Sequence, residues 1–126
     1  MSHPIVQLQA ALVDALRSEI EPPVFDAPRK EAVPPYVVIA RHDVLPRDGD
    51  ATPGLEHRLL LHAWAADASR KTVLSIAEDL MEVALDLTSP DIAITLRRHD
   101  RTDTSIDQQT GRARAAIALT FFTEAN

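Results

Sequence analysis

Residues Pro35-Tyr36-Val37-Val38-Ile39 and Glu56-His57-Arg58-Leu59-Leu60-Leu61-His62-Ala63-Trp64 are two strand-like runs, and a capped amphipathic helix follows the second directly. That order constrains the fold more than any other feature of the chain. β-Branched and bulky apolar side chains suit a pleated, half-buried surface. Consecutive strands joined by a loop too short for a crossover pair as an antiparallel hairpin. The helix that follows must bury its apolar stripe, and one face of that hairpin is the nearest surface on which to do so.

The flanking segments extend the pattern. Ile5, Leu8, Leu12 and Leu16 recur at helical spacing and predict a first helix over residues 4–19. Ser2 or His3 can cap it, Pro4 is tolerated in its first turn, and Pro22-Pro23 ends it. Seven of the nine prolines lie between residues 22 and 53, which points to stiff connections and edge strands there. Residues 24–26 suit a short strand and residues 36–43 the first long one, with Val37 and Ile39 on one face and Tyr36 and Val38 on the other. Residues 46–54, rich in Gly, Asp and Pro, read as a long polar loop before a second strand at 56–65.

Asp67 or Ser69 caps a second helix running to about residue 86. Its main stripe is Val73, Ile76, Ala77, Leu80, Ala84 and Leu87, widened by Leu74, Met81 and Leu85. A strand over 92–101, a turn at 107–111 and a last strand over 112–123 make a second hairpin. The expected fold is therefore α+β: an antiparallel or mixed sheet of four to five strands with two helices packed on one face, in the order α-β-β-α-β-β. At 126 residues the chain is expected to be a single domain over 1–126, large enough to hold a core without staples.

Composition narrows the function. There is no cysteine, so disulfides and thiolate metal sites are excluded. The net charge of −6 argues against a free-standing nucleic-acid binder. Five aromatic residues are too few for a base-stacking platform. No apolar run approaches the ~20 residues needed to cross a bilayer, and the N-terminus has no signal-like character. The chain reads as a soluble protein made in the cytoplasm, with no membrane partner.

Candidate chemistry is sparse. Arg-His-Asp occurs twice, at Arg41-His42-Asp43 and Arg98-His99-Asp100. Neighbours on a strand point to opposite faces, so His42 cannot readily meet Asp43, and both tripeptides read as solvated strand ends. His57 and His62, with His42 and His99, offer no metal-ligand spacing. The serines lie in no nucleophile elbow, and three glycines are too few for a phosphate-cradling loop. Arg97, Arg98, Arg101, Arg112 and Arg114 form a local basic patch, expected to be neutralised across the strands by Asp100, Asp103 and Asp107. Trp64 reads as a core or interface anchor between sheet and helix. No catalytic residue, cofactor site or metal site is assigned, and the chain is not expected to be an enzyme.

One pattern points beyond the single chain. The last strand is apolar on both faces, with Ala116, Ala118 and Phe122 opposed to Ile117, Leu119 and Phe121. In the second strand Leu60 and Trp64 oppose Leu59 and Leu61. Two helices cover one face of a sheet, and an antiparallel sheet wet on its other face should alternate more cleanly. Leu60, Trp64, Ala116, Ala118 and Phe122 are therefore candidate subunit-interface residues. The alternative cover is segments 22–35 and 46–55 of the chain itself.

Taken in order, Ala11-Leu12-Val13-Asp14-Ala15-Leu16, Val24-Phe25-Asp26, Pro34 through Ile39, Glu56 through Trp64, the helix with Ile76-Ala77 and Leu80, and the strand over 113–123 resemble the phage tail terminator family. These are tail completion, or head–tail joining, proteins of long-tailed phages and gene transfer agents. The resemblance spans nearly the whole chain. It implies a structural protein of the virion or phage-like particle, assembled in the bacterial cytoplasm. Such a protein forms a ring, usually of six subunits, on the finished tail tube, stops tube polymerisation and joins the tail to the head connector. Its implied partners are its own copies, the tail tube protein and a head-side connector or stopper, with DNA passing through the lumen without specific binding. Arg47, Asp48 and Asp50 in one loop and Asp107, Gln108 and Arg112 in another are the candidate tube or connector contacts. A small ligand-binding or regulatory α+β domain is the alternative.

Overall fold

The computed structural model describes residues 4–48 and 53–125. Ser2, His3 and Asp50, read above as caps and as a contact residue, lie outside them. In chain order the elements are α1 (Pro4–Glu19), β1 (Val24–Phe25), β2 (Tyr36–Asp48), β3 (Pro53–Trp64), α2 (Arg70–Ala84), β4 (Ile92–Ile106) and β5 (Ala113–Ala125). The five strands form one mixed sheet in the order β1-β2-β3-β5-β4. Only β1 runs parallel to its neighbour; the other three pairings are antiparallel.

Both helices lie on one side of the sheet. Leu8, Leu12 and Leu16 of α1 and Val73, Ala77, Leu80 and Ala84 of α2 are fully buried against Val37, Leu61, Ala63, Ala115, Ile117 and Phe121. The 3.6-residue stripe of each helix meets the period-2 face of the strands, as the spacing predicts. Ser69 caps α2: the Thr72 backbone N–H donates to Ser69 Oγ at 3.1 Å. Asp67 positions that cap, accepting the Ser69 backbone N–H at 3.1 Å.

The strands are longer than the sequence reading gave. The first long strand, expected to stop at residue 43, continues to Asp48, and β3 begins at Pro53, so most of the expected polar loop 46–54 is ladder. Pro46 fits because β1 flanks β2 only at Val37 and Val38, leaving the rest of β2 an edge where a missing N–H costs little. Gly54 fits for a different reason. A Cβ there would lie 3.0 Å from the Thr123 carbonyl oxygen and 3.1 Å from that of Arg47, so glycine lets the three strands approach without crowding two backbone carbonyls. In the same way β4, expected over 92–101, runs on to Ile106, directly before the expected turn at Asp107. There the Gly111 N–H donates to the Asp107 carbonyl at 2.7 Å, and Gly111 takes the positive φ of 72° that the turn requires.

Phe121 and Leu61 have no exposed surface and sit at the centre of the two inner strands. Truncating either to Ala is expected to destabilise the fold by about 3–5 kcal/mol. Ser69→Ala is expected to cost about 1 kcal/mol through the lost cap. Urea titration checks both, with the midpoint falling and the slope unchanged.

Candidate docking face

The side of the sheet away from the helices is the face that the fold leaves to something else. Strict alternation from the buried residues Leu59, Leu61, Ala63, Ile117, Leu119 and Phe121 puts Leu60, Trp64, Ala116, Ala118 and Phe122 all on it. The register aligns them: Leu60 pairs with Ala118, and Glu56 with Phe122. Trp64 is thus not wedged between sheet and helix, as expected, but lies on the opposite side beside Arg114. Residues 46–48 and 53–55 do not fold over this face, since they are in the ladder itself, and of segment 22–35 Phe25 packs beside Tyr36 at its edge, with ring centroids 5.8 Å apart.

Arginines partly shield the apolar side chains. Arg47 lies over the Phe122 ring, 4.1 Å from its centroid, and Arg114 stands 6.0 Å from that of Trp64. Arg41, Arg58, Arg98 and Arg101 share the face. Each pairs with an acid two residues along its own strand: Arg41 with Asp43 at 2.6 Å, Arg58 with Glu56 at 2.6 Å, Arg98 with Asp100 at 2.7 Å and Arg101 with Asp103 at 3.1 Å. The neutralisation expected across the strands therefore runs along them. The period of two puts i and i+2 on one face, within reach of an arginine. Arg97 is not part of this set, because it faces the helices and donates to the Leu87 carbonyl at 2.5 Å. Asp107 instead accepts the Gln109 N–H at 2.8 Å and shapes its turn.

Both Arg-His-Asp tripeptides lie within strands and not at strand ends. The β4 ladder shifts register between His99 and Arg101, which leaves Asp100 at an irregularity. Its carboxylate accepts from Thr120 Oγ1 at 2.5 Å and from Arg98 Nε. Burial opposes its charge, but the hydrogen bonds from Thr120 and Arg98 and the charges of Arg98 and His99 hold Asp100 below the ordinary carboxylate range. This satisfies the hydroxyl of Thr120, which is 1% exposed. Sequence reasoning missed this pair, because the irregularity that aims Asp100 leaves no composition signal.

The histidines divide between the faces. On the helix side, His42 Nε2 is 3.1 Å from His57 Nδ1, and His57 Nε2 is 2.8 Å from Thr123 Oγ1, a polar chain tying β2, β3 and β5 together. His62 is on the helix-free face opposite Val38. His99 bonds Thr102 at 2.7 Å. Among the described residues no group of three or more His, Asp or Glu is placed to hold a metal. Desolvation, followed by the neighbouring His42, pushes His57 down from 6.5 to about 4. His42 is lowered chiefly by burial, against the pull of Asp43.

The expected contact segments sit at opposite ends of the sheet. Arg47 pairs with Gly54, which pairs with Glu124 at the end of β5, whereas Asp107, Gln108 and Arg112 belong to the turn before Ala113 at its start. A strand of this length separates the two ends by about 40 Å.

Family comparison fits this arrangement. The model of the tail completion protein gp17 family matches residues 6–124, and the chain belongs to that family of structural phage tail proteins. Its backbone is similar to a chain in a solved structure described as the virion of a native gene transfer agent particle, with a TM-score of 0.79 and 19% identity. That likeness covers 98% of this chain and 100% of the other, and establishes the shared fold. Among curated proteins, none matches the chain.

Between pH 6.5 and about 4 the unfolded chain binds a proton that folded His57 excludes. Stability is therefore full above that window and falls as pH drops through it, by about 3 kcal/mol from this group. Urea unfolding at a series of pH values is expected to show that slope, and His57→Gln to flatten it.

Proposed function

We propose that this chain caps the finished tail tube as a subunit of a ring, a hexamer as its family resemblance implies, and that the ring both stops tube polymerisation and joins the tail to the head-side connector. The subunit acts as one domain. The observation that carries the reading is the helix-free face: six arginines and no lysine, with Trp64, Tyr36 and Phe122, on the side of the sheet away from both helices. Arginine and aromatics are enriched in protein interfaces, and lysine is depleted. Leu60, Trp64, Ala116, Ala118 and Phe122 are its apolar centre.

The two ends of the sheet suit two different neighbours. Arg47 and Asp48, with Asp50 beyond them, face one of tube and connector. Asp107, Gln108 and Arg112 face the other. The net charge of −6, with four of the six arginines of the face already paired, suits a lumen through which DNA passes without being held.

Deleting the gene from a producing strain tests this. Electron microscopy is expected to show overlong, headless tails beside intact heads. Tails of normal length on filled particles would contradict the proposal.

A further inference from the structure

The helix-free face contains a groove, and the flank of α2 contains a ridge that matches it. The groove floor is Leu60, Ala118 and Thr120, and Arg41, Arg58 and Arg98 form its rims with Asp43 and Asp100 beside them. It is low because β5 places only small side chains there, while β2, β3 and β4 place arginines on either side. Those guanidinium groups reach outward: the side chains of Arg41, Arg58 and Arg98 are 70%, 59% and 53% exposed.

The ridge was not legible as such in the sequence, where Leu74, Met81 and Leu85 read as widening the buried stripe. In the fold, Leu74 and Leu85 are 46% and 41% exposed. Positions 74, 78, 81 and 85 are spaced four, three and four apart, so Leu74, Glu78, Met81 and Leu85 form one row, with Glu82 beside it. Thus α2 carries two apolar stripes. One is buried under Val73, Ile76, Ala77, Leu80 and Ala84, and the other is left at the surface with carboxylates interleaved.

Charge separates the two surfaces as well. Residues 4–34 and 66–91, which hold both helices, contain eleven acidic and five basic side chains. Residues 35–48, 53–65 and 92–125, which hold the long strands, contain seven acidic and eight basic ones, every base an arginine. The chain thus presents an acidic apolar ridge and an arginine-rimmed apolar groove on different sides of itself.

We infer that the α2 ridge of a second copy of this chain docks into the groove of the first, a contact that rests on the ring reading above and names its interface. Leu74 and Leu85, about 16 Å apart along the helix, straddle the Leu60–Ala118 pair along the groove, and Glu78 and Glu82 between them meet the rim arginines. This is recognition of a helix in a groove, with anchors at i, i+4, i+7 and i+11. The rim arginines exchange exposed partners two residues away, which are weak, for carboxylates approaching in line, which a guanidinium binds in fork geometry. Groove and ridge are different surfaces, so the contact is heterologous: it repeats head to tail and closes into a ring where the rotation allows.

Charge reversal on each side tests the interface in the full chain. Arg58→Glu with Arg98→Glu alters only the groove; Glu78→Arg with Glu82→Arg alters only the ridge. Sedimentation is expected to show each double variant folded by circular dichroism yet self-associating at least about tenfold more weakly than the native chain. An equimolar mixture of the two is expected to recover association, because each groove then finds a ridge of opposite charge. Unchanged association of either variant, a mixture that stays dissociated, or a native chain that remains monomeric up to millimolar concentration would overturn the inference. Any of these results, found together with overlong tails in the deletion strain, would remove this interface and leave tail completion standing.

Discussion

The ladder between β3 and β5 is the constraint on which the rest depends. It runs from Gly54 paired with Glu124 to Trp64 paired with Arg114 with no shift of register, whereas the β2–β3 and β4–β5 ladders both shift. An unbroken period of two fixes which side every residue of both strands faces. One side becomes the core, with His57, Leu59, Leu61, Ile117, Leu119 and Phe121 under the helices. The other becomes the helix-free face proposed for docking. A slip of one residue would bury Arg58 and expose Phe121, so the same ladder enforces core and interface together.

The irregularities fall on the flanking strands, where they have local effects. Between Ile39 and Arg41 the shift lets Ile39 point into the core while Arg41 and Asp43 point out. The shift between His99 and Arg101 turns Asp100 onto Thr120. Both strands are sheet edges over most of their length, and bulged, charged edges resist indiscriminate pairing with other chains.

Much of this was legible from periodicity. The α1 bounds, the Ser69 cap, the core stripes and the facing of Leu60, Trp64, Ala116, Ala118 and Phe122 all follow from spacing alone. Three things did not. Pro46 and Gly54 are turn formers by composition but lie in strands here, because an edge position and a close three-strand approach suit them. Leu74 and Leu85 read as core because the sequence gives the width of an apolar stripe and not how much of it a neighbouring element covers. The meeting of His42 with His57, and of Asp100 with Thr120, depends on register shifts that no local pattern encodes. Both are polar pairs inside or beside the sheet, and neither forms a site for chemistry.

The subunit is two-sided, with a core under the helices and an arginine–aromatic face on the other side that is proposed to hold it in the particle. Hydroxyl-radical footprinting of Trp64 and Phe122, compared between the isolated chain and intact particles, tests that claim most directly. Strong protection of both side chains in the particle, with the exposed Val33 as an internal reference, is the predicted result. Equal oxidation of Trp64 and Phe122 in the two states would contradict it, because the helix-free face would then remain open to solvent in the assembled tail.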